Sequence, residues 1–450
     1  MRIHLIAIGG AVMHNMAMAL HNKGFRVTGS DDEVFEPSRS RLAAYGLLPE
    51  TTGWDPGRIT EDLDGVILGM HARKDNPELL RAQELGLKIW SFPEYIFEQC
   101  RDKQRVVIGG SHGKTTVTAM IMHVLRYNNY QFDYMVGSQL EGFETMVKLT
   151  PDAPVVILEG DEYLSSPIDP RPKFHLYHPH IAVITGIAWD HMNVFPTYEN
   201  YMEQFTEFIR VIEPGGALFW YKADENLQEI CRNIPCKSHS YGAHPYTISE
   251  GKTLLTTGKS NIPVPLFGNH NMQNIQAALQ VCLELGLAPE MFYAAITTFK
   301  GAAKRQELLA ASEKRQVFVD FAHAPSKVKA TVESFRETSP HRKLFAFLEL
   351  HTFSSLNQAF LPQYSGTMDA ADMAIVFYNP GVVKHKNLPP IDKAFVQQAF
   401  QRKDLLVISH KIELTEIITS IQADGTFLFM SSGNFSGLDL KQMAAELVKQ

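Results

Sequence analysis

Residues 105–127 read RVVIGGSHGKTTVTAMIMHVLRY. The β-branched run Arg105-Val106-Val107-Ile108 predicts a short strand that feeds into Gly109-Gly110-Ser111-His112-Gly113-Lys114-Thr115-Thr116. Beyond it, Val117, Met120, Ile121, Val124 and Leu125 recur at i, i+3, i+4, i+7 and i+8, one face of a helix. Strand, glycine-rich turn, Lys-Thr and helix are the parts of a nucleotide phosphate cradle. Glycines let backbone N–H groups turn toward phosphate oxygens, and the first helical turn adds the positive end of its dipole. Lys114 would reach the β and γ oxygens, and a threonine hydroxyl would sit on Mg²⁺. The longer form GxxxxGK[ST] is not met, because its first glycine falls at Ile108; the chain carries GxxGKT. ATP is the expected ligand.

Composition narrows what surrounds this loop. With 450 residues the chain exceeds what one hydrophobic core supports, so two or three domains are expected. A 45% apolar and 20% charged composition is that of a water-soluble globular protein. A net charge of −7 without a basic run argues against nucleic acid as a partner. Cysteines at 100, 231, 236 and 282 suit a reducing compartment, and Cys231 and Cys236 lack the second pair that a zinc site needs. Met1 to Gly10 carries one basic residue and a short apolar run, which suits a buried strand better than a signal peptide. No stretch is long enough to span a membrane, so a cytoplasmic protein without a membrane partner is expected.

Residues 1–102 alternate strand and helix: Ile3–Ile8, a Gly9-Gly10 turn, a helix over Met13–Lys23, a strand Phe25–Asp31 and a third at Gly65–Gly69. This is a Rossmann-like half, whose ligands bind beyond the strand C-termini. GxGxxG is absent, which favours another phosphate-bearing ligand, such as a nucleotide sugar, over a dinucleotide. In residues 103–300, the strand Val155–Leu158 runs into Glu159-Gly160-Asp161-Glu162, and Ile181–Thr185 leads to Asp190-His191. Acids and a histidine at strand ends beside a phosphate cradle suit Mg²⁺ held against phosphate oxygens. Gly268-Asn269-His270-Asn271-Met272-Gln273-Asn274 opens a helix on which Asn271 and Asn274 share a face, and their amides suit an adenine edge. From 301 to 450, strands at 317–320, 344–348, 374–377 and 427–430 each run into polar residues, the edge where a second doubly wound sheet keeps its site.

In this order the pieces resemble the Mur ligase family, ATP-dependent enzymes that join amino acids or peptides to UDP-N-acetylmuramate. GSHGKTT resembles the family's GT[HN]GKTT loop, EGDE its metal-binding acid stretch, and Asp190-His191-Met192 its DHM. Gly268 to Asn274 is similar to GxHNxxN, Lys304-Arg305 to its paired basic residues, and Asp320-Phe321-Ala322-His323-Ala324-Pro325 to DDYAHHP. The resemblance implies an α/β chain of three domains. These are a UDP-sugar-binding Rossmann-like domain (1–102), a central P-loop NTPase-like ATPase domain (103–300) and a Rossmann-like domain for the incoming amine (301–450). It further implies ATP on Gly110, Ser111, His112, Gly113, Lys114, Thr115 and Thr116, with Asn271 and Asn274 on the adenine and Asp320 on the ribose. Mg²⁺ would lie on Thr115, Glu159 and His191, Arg305 would act on the transferred phosphate, and His323 would be a candidate base. UDP-N-acetylmuramate and the amine donor would meet Gly10, Ser30, Asp31, His71, Arg171 and His351, in a monomer or weak homodimer.

Glu159 to Tyr163, followed by Asp169, Arg171, Lys173-Phe174 and Tyr177, resembles the EADEY…DxRxKF stretch of the branch that attaches a recycled tripeptide, L-Ala-γ-D-Glu-meso-diaminopimelate. The branch that adds L-alanine is the alternative. A kinase releasing a small phosphorylated product and a non-catalytic nucleotide-binding protein explain fewer of the motifs. Two departures from the family stand out. His351 occupies the place of an arginine directed at the peptide carboxylate, and His14-Asn15 replace a Gly-Gly pair in the first turn.

Overall fold

The computed structural model describes residues 1–189, 192, 194–232, 234, 236–258, 260–302 and 304–449. Asp190 and His191 lie outside them. The described chain is mixed α/β and divides into two compact units. One comprises Met1–Ile187, Glu199–Gly242 and Ala277–Ala295; the other comprises Ala188–Tyr198, Ala243–Gln276 and Ile296–Gln450.

The first unit holds two parallel sheets. The smaller orders its strands Arg26–Ser30, Arg2–Ile6, Gly65–Leu68 and Ile89–Ser91. Its helices begin where the sequence supplies caps. Asn76 accepts from the N–H groups of Glu78 and Leu79 ahead of Pro77, and Ser91 with Glu94 forms a capping box. The larger sheet runs Lys237–Tyr241, Ala217–Tyr221, Ile181–Ile184, Gln104–Gly109, Val155–Glu159, Phe132–Met135 and Val147–Lys148, antiparallel only at its last pair. Gln104–Gly109 is its central strand; the chain first moves to Phe132–Met135 on one side and, after Val155–Glu159, crosses to Ile181–Ile184 on the other. Such sheets place their ligands at the C-terminal end of the strand where the order reverses. The helix Lys114–Tyr127 buries Val117, Met120, Ile121, Val124 and Leu125 completely, each contributing about 1.5–3 kcal/mol of burial.

Buried charges join these parts. Arg105 donates to the carbonyls of Tyr177, His178 and Arg101 and to the Glu213 carboxylate at 2.7 Å, tying the start of the central strand to the loop before Ile181–Ile184. Lys103 pairs with the fully buried Asp133 at 2.9 Å. His14 and Asn15 are buried as well. The Nδ1–H of His14 donates to the carbonyl of Gly10 at 2.9 Å, so its Nε2 accepts from the Asn15 amide, also at 2.9 Å. The Asn15 carbonyl then accepts the N–H of Met146 at 2.9 Å, fastening the helix Ala11–Asn22 to the edge of the larger sheet.

Ser30 also turns inward. It is fully buried, its hydroxyl donates to Glu78, and His4 lies 3.5 Å from the same carboxylate. Its hydroxyl is thereby engaged inside the fold.

The second unit centres on a six-stranded sheet ordered Glu307–Ala311, Arg315–Asp320, Gly425–Met430, Leu344–Leu350, Met373–Tyr378 and Leu406–Ile408. Only its first pair is antiparallel. Phe347, Phe427, Phe429 and Phe435 pack ring against ring in the core on one face. The alternating Ala346, Leu348 and Leu350 pack the other face. A three-stranded antiparallel sheet, Tyr246–Ser249, Lys252–Thr256 and Asn261–Val264, has no expectation above. Its strands are short, half-exposed and interrupted by Pro263, so apolar periodicity does not flag them.

Burial pushes the Glu78 carboxyl up, but bonds from His4, Ser30 and the Asp55 N–H outweigh it and hold the carboxyl below the usual glutamate value. Such a group stabilises the fold above its unfolded pKa, and that contribution is lost as pH falls through the lower folded value. Glu78→Gln is expected to cost about 1–3 kcal/mol in urea unfolding at pH 7, with the difference shrinking below about pH 4.

Candidate active site

The loop after the central strand has the geometry its sequence implies. Gly110 (φ +125°) and Gly113 (φ +83°) adopt backbone angles that residues with a Cβ rarely take. A Cβ on Gly110 would also strike the Thr185 hydroxyl, which donates to the carbonyl of His112. The loop is thus clasped against the end of the strand Ile181–Ile184, and the N–H of Ser111 donates to Gly186 at 2.9 Å.

Lys114 opens the helix with its ammonium 2.5 Å from the carbonyl of Gly110 and 2.5 Å from Glu162. Burial alone would lower the lysine pKa; Glu162, Asp161 and Glu159 outweigh it and hold Lys114 above the ordinary value. Glu162, 1% exposed, is therefore the countercharge of the loop. Glu159 closes the strand that leads to it. It accepts from the Thr115 hydroxyl at 2.6 Å and from the N–H of Gly137 at 2.7 Å. Two hard oxygen donors side by side at the mouth of a phosphate loop fit a Mg²⁺ ion. His191, the third expected ligand, is outside the described residues, and among those described no cluster of three metal-binding side chains occurs. Thr116 is buried on the helix, and His112 lies beside Gly186.

The EGDE acids are braced from a hairpin, Leu164–Ser166 and Asp169–Pro172. Lys173 pairs with Asp161, and Arg171 pairs with Asp169 at 2.7 Å and with Glu94 at 3.2 Å. At the smaller sheet, Gly10 precedes the helix Ala11–Asn22, and Asp31 accepts from the N–H of Gly9 at 2.7 Å. Burial and neighbouring Asp32 push the Asp31 carboxyl up to about 6. His71 is exposed on the loop beyond Gly65–Leu68.

In the second unit, Asn271 and Asn274 come within 3.5 Å of one another through their amides. Sequence reasoning missed the residue that links them to Asp320. The side chain of Gln306 accepts from Asn271 at 2.9 Å, while its backbone N–H donates to Asp320 at 2.7 Å. Nothing local marks Gln306, whose φ of +49° belongs to the turn that Asp320 holds. Burial pushes the Asp320 carboxyl up, opposed by Arg305 and the N–H groups of Gln306 and Ala322. The Arg305 guanidinium lies 4.5 Å from the ring centre of Phe321. His323 donates from Nδ1 to the carbonyl of Phe321 at 2.7 Å, which makes Nε2 the basic nitrogen of the ring. At the end of Leu344–Leu350, half-exposed His351 lies 3.9 Å from buried Glu349, whose other oxygen accepts from Ser431 and from the N–H of Phe435.

A lysine-bearing phosphate loop at a topological switch point, with adjacent acids for a cation, defines an α/β nucleotide-dependent phosphoryl-transfer fold. The family models sharpen this. "Mur ligase family, catalytic domain" matches residues 2–104 and "Mur ligase middle domain" matches residues 108–282. The UDP-N-acetylmuramate–L-alanine ligase of Clostridium kluyveri is 29% identical over 391 residues, covering 83% of this chain and 82% of that protein. The Escherichia coli UDP-N-acetylmuramate–L-alanyl-gamma-D-glutamyl-meso-2,6-diaminoheptandioate ligase is 26% identical over 453 residues, covering 98% and 97%. The crystal structure of UDP-N-acetylmuramate–alanine ligase from Thermotoga maritima shares the fold, with a TM-score of 0.71 at 20% identity, covering 100% of this chain and 98% of that one. The chain belongs to the Mur ligase family, and it is an ATP-dependent amide ligase of peptidoglycan synthesis.

Lys114→Met removes the cation beside a carboxylate that is almost wholly buried. It is expected to lower the unfolding free energy by about 2 kcal/mol, and Lys114→Met/Glu162→Gln to recover most of that in urea unfolding, while both variants lack turnover.

Proposed function

We propose that this ligase joins the lactyl carboxylate of UDP-N-acetylmuramate to the α-amine of L-Ala-γ-D-Glu-meso-diaminopimelate, the recycled tripeptide of peptidoglycan. The observation that carries this reading is the Asp169–Phe174 stretch. It supplies one strand of a hairpin, Asp169–Pro172, and then Lys173, which pairs with an EGDE acid, and its residues resemble those of the tripeptide branch. The end-to-end match to the Escherichia coli relative supports it as well. L-alanine is the second reading, favoured by the higher identity of the Clostridium kluyveri relative.

In this mechanism a carboxylate oxygen of the muramate attacks the γ-phosphorus of ATP, forming an O–P bond as ADP departs. Lys114 exchanges Glu162 for phosphate oxygens and offsets the charge that grows on them. Thr115, Glu159 and His191 would hold Mg²⁺, which supplies further charge neutralisation. The peptide amine attacks the carbonyl carbon of the acyl phosphate, the tetrahedral intermediate expels phosphate, and the amine proton passes to a base, for which Nε2 of His323 is the candidate. Asn271 and Asn274 serve the adenine, Asp320 the ribose and Arg305 the transferred phosphate. Residues 1–102 serve the UDP-sugar, 103–300 the ATP chemistry and 301–450 the amine donor, in a cytoplasmic enzyme.

Phosphate release with ATP, Mg²⁺ and UDP-N-acetylmuramate is expected to show kcat/KM roughly tenfold or more higher for the tripeptide than for L-alanine. Equal or reversed rates would replace the tripeptide assignment by the alternative. His351→Ala is expected to raise the KM for the amine donor several-fold, about 1 kcal/mol of lost binding, while leaving the KM for ATP within a factor of about two.

A further inference from the structure

The phosphate loop is held from a direction that no loop motif encodes. Tyr201, on the helix Tyr198–Arg210, is fully buried, with its ring set edge-on to Phe205 at 5.3 Å. Its hydroxyl lies 2.8 Å from Oγ of Ser111 and donates to Oε1 of Glu162 at 3.2 Å. A tyrosine hydroxyl has one proton, and an ionised carboxylate only accepts. With that proton on Glu162, Ser111 is the donor to Tyr201. Oε2 of the same carboxylate takes Lys114 at 2.5 Å. The side chains therefore form one directed chain, Ser111 to Tyr201 to Glu162, with Lys114 entering Glu162 from the other side.

We infer that Tyr201 is a positioning residue for phosphoryl transfer, acting through Glu162 on Lys114 and through Ser111 on the start of the phosphate loop. This deepens the ligase reading proposed above and rests on it. Glu162 is shielded from water, so any cation drawn away from it leaves a carboxylate that protein donors must stabilise. Lys114 has to leave Glu162, at least in part, to meet phosphate oxygens. The Tyr201 hydroxyl stays on Oε1 throughout, spreads the charge of Glu162 and lowers its hold on Lys114. The benefit is largest when charge on the phosphate oxygens is greatest, so it belongs to the transition state more than to bound ATP. Ser111 stands where the family motif has threonine, and either residue supplies the hydroxyl this chain needs.

The test uses the full chain with Tyr201→Phe, Ser111→Ala, Ser111→Thr and the double Tyr201→Phe/Ser111→Ala. Two readouts are taken: steady-state phosphate release with ATP, UDP-N-acetylmuramate and the tripeptide or L-alanine, and direct binding of a fluorescent ADP analogue with Mg²⁺. Tyr201→Phe keeps the ring against Phe205 and removes only the hydroxyl. The expected result is a kcat lower by roughly tenfold, with KM for ATP and analogue affinity changed less than about threefold. Ser111→Ala is expected to lose a similar factor, the double variant to lose no more than the worse single, and Ser111→Thr to restore most of the rate. Additive losses in the double variant, or Tyr201→Phe turning over as wild type, overturn the inference. Should Tyr201→Phe also lower the melting temperature, the double variant compared with Ser111→Ala decides: an equal kcat supports the relay, and a further loss, or wild-type kcat in Ser111→Ala, overturns it. Lys114→Ala separates this from the underlying reading. If wild type fails to bind the analogue, or Lys114→Ala turns over normally, the ligase assignment falls and the inference with it. If those two controls behave and the Tyr201 and Ser111 variants are silent, only the inference falls.

Discussion

An ammonium and a carboxylate 2.5 Å apart, Lys114 and Glu162, hold the central loop in its working shape. Each is removed from bulk water, and each would be costly there alone. The loop must present concentrated positive potential to a polyanion, yet the protein must fold before the polyanion arrives. Glu162 resolves that conflict by giving Lys114 a countercharge within the fold. The surrounding contacts serve the same end: Thr185 clasps the loop from the neighbouring strand, Gly137 fixes Glu159, and Lys173 pairs with Asp161, the second acid whose charge reaches Lys114.

Around this centre, buried polar groups do the joining. Arg105 and the Lys103–Asp133 pair fasten the start of the central strand from both sides. His14 and Asn15 do this for the first helix, where the neutral imidazole orients an amide that captures a backbone N–H near the edge strand. Both residues are thereby structural. Ser30 illustrates the point again, its hydroxyl absorbed by Glu78.

The second unit applies the same economy at its strand ends. Asp320 accepts the N–H groups of Gln306 and Ala322, so it shapes the turn that carries Arg305. Glu349 does likewise for the loop after Gly425–Met430, and His351 sits beside it in place of a longer, permanently charged arginine. An imidazole has a shorter reach and a different hydrogen-bonding pattern from a guanidinium.

Local chemistry was enough to read the phosphate loop and its helix, the strand-end acids, the alternating α/β order and the motifs that mark the family. Each of these depends on residues within a turn or a strand of one another, where backbone conformation and periodicity leave a direct trace. Which acid holds Lys114, which hydroxyl holds Ser111 and which amide joins Asn271 to Asp320 left no such trace. Glu162, Tyr201 and Gln306 are 48, 90 and 35 residues from their partners. Only the packing of helices and strands brings such groups within hydrogen-bond reach, and burial then decides their strength, because removing water is what makes each bond costly to lose.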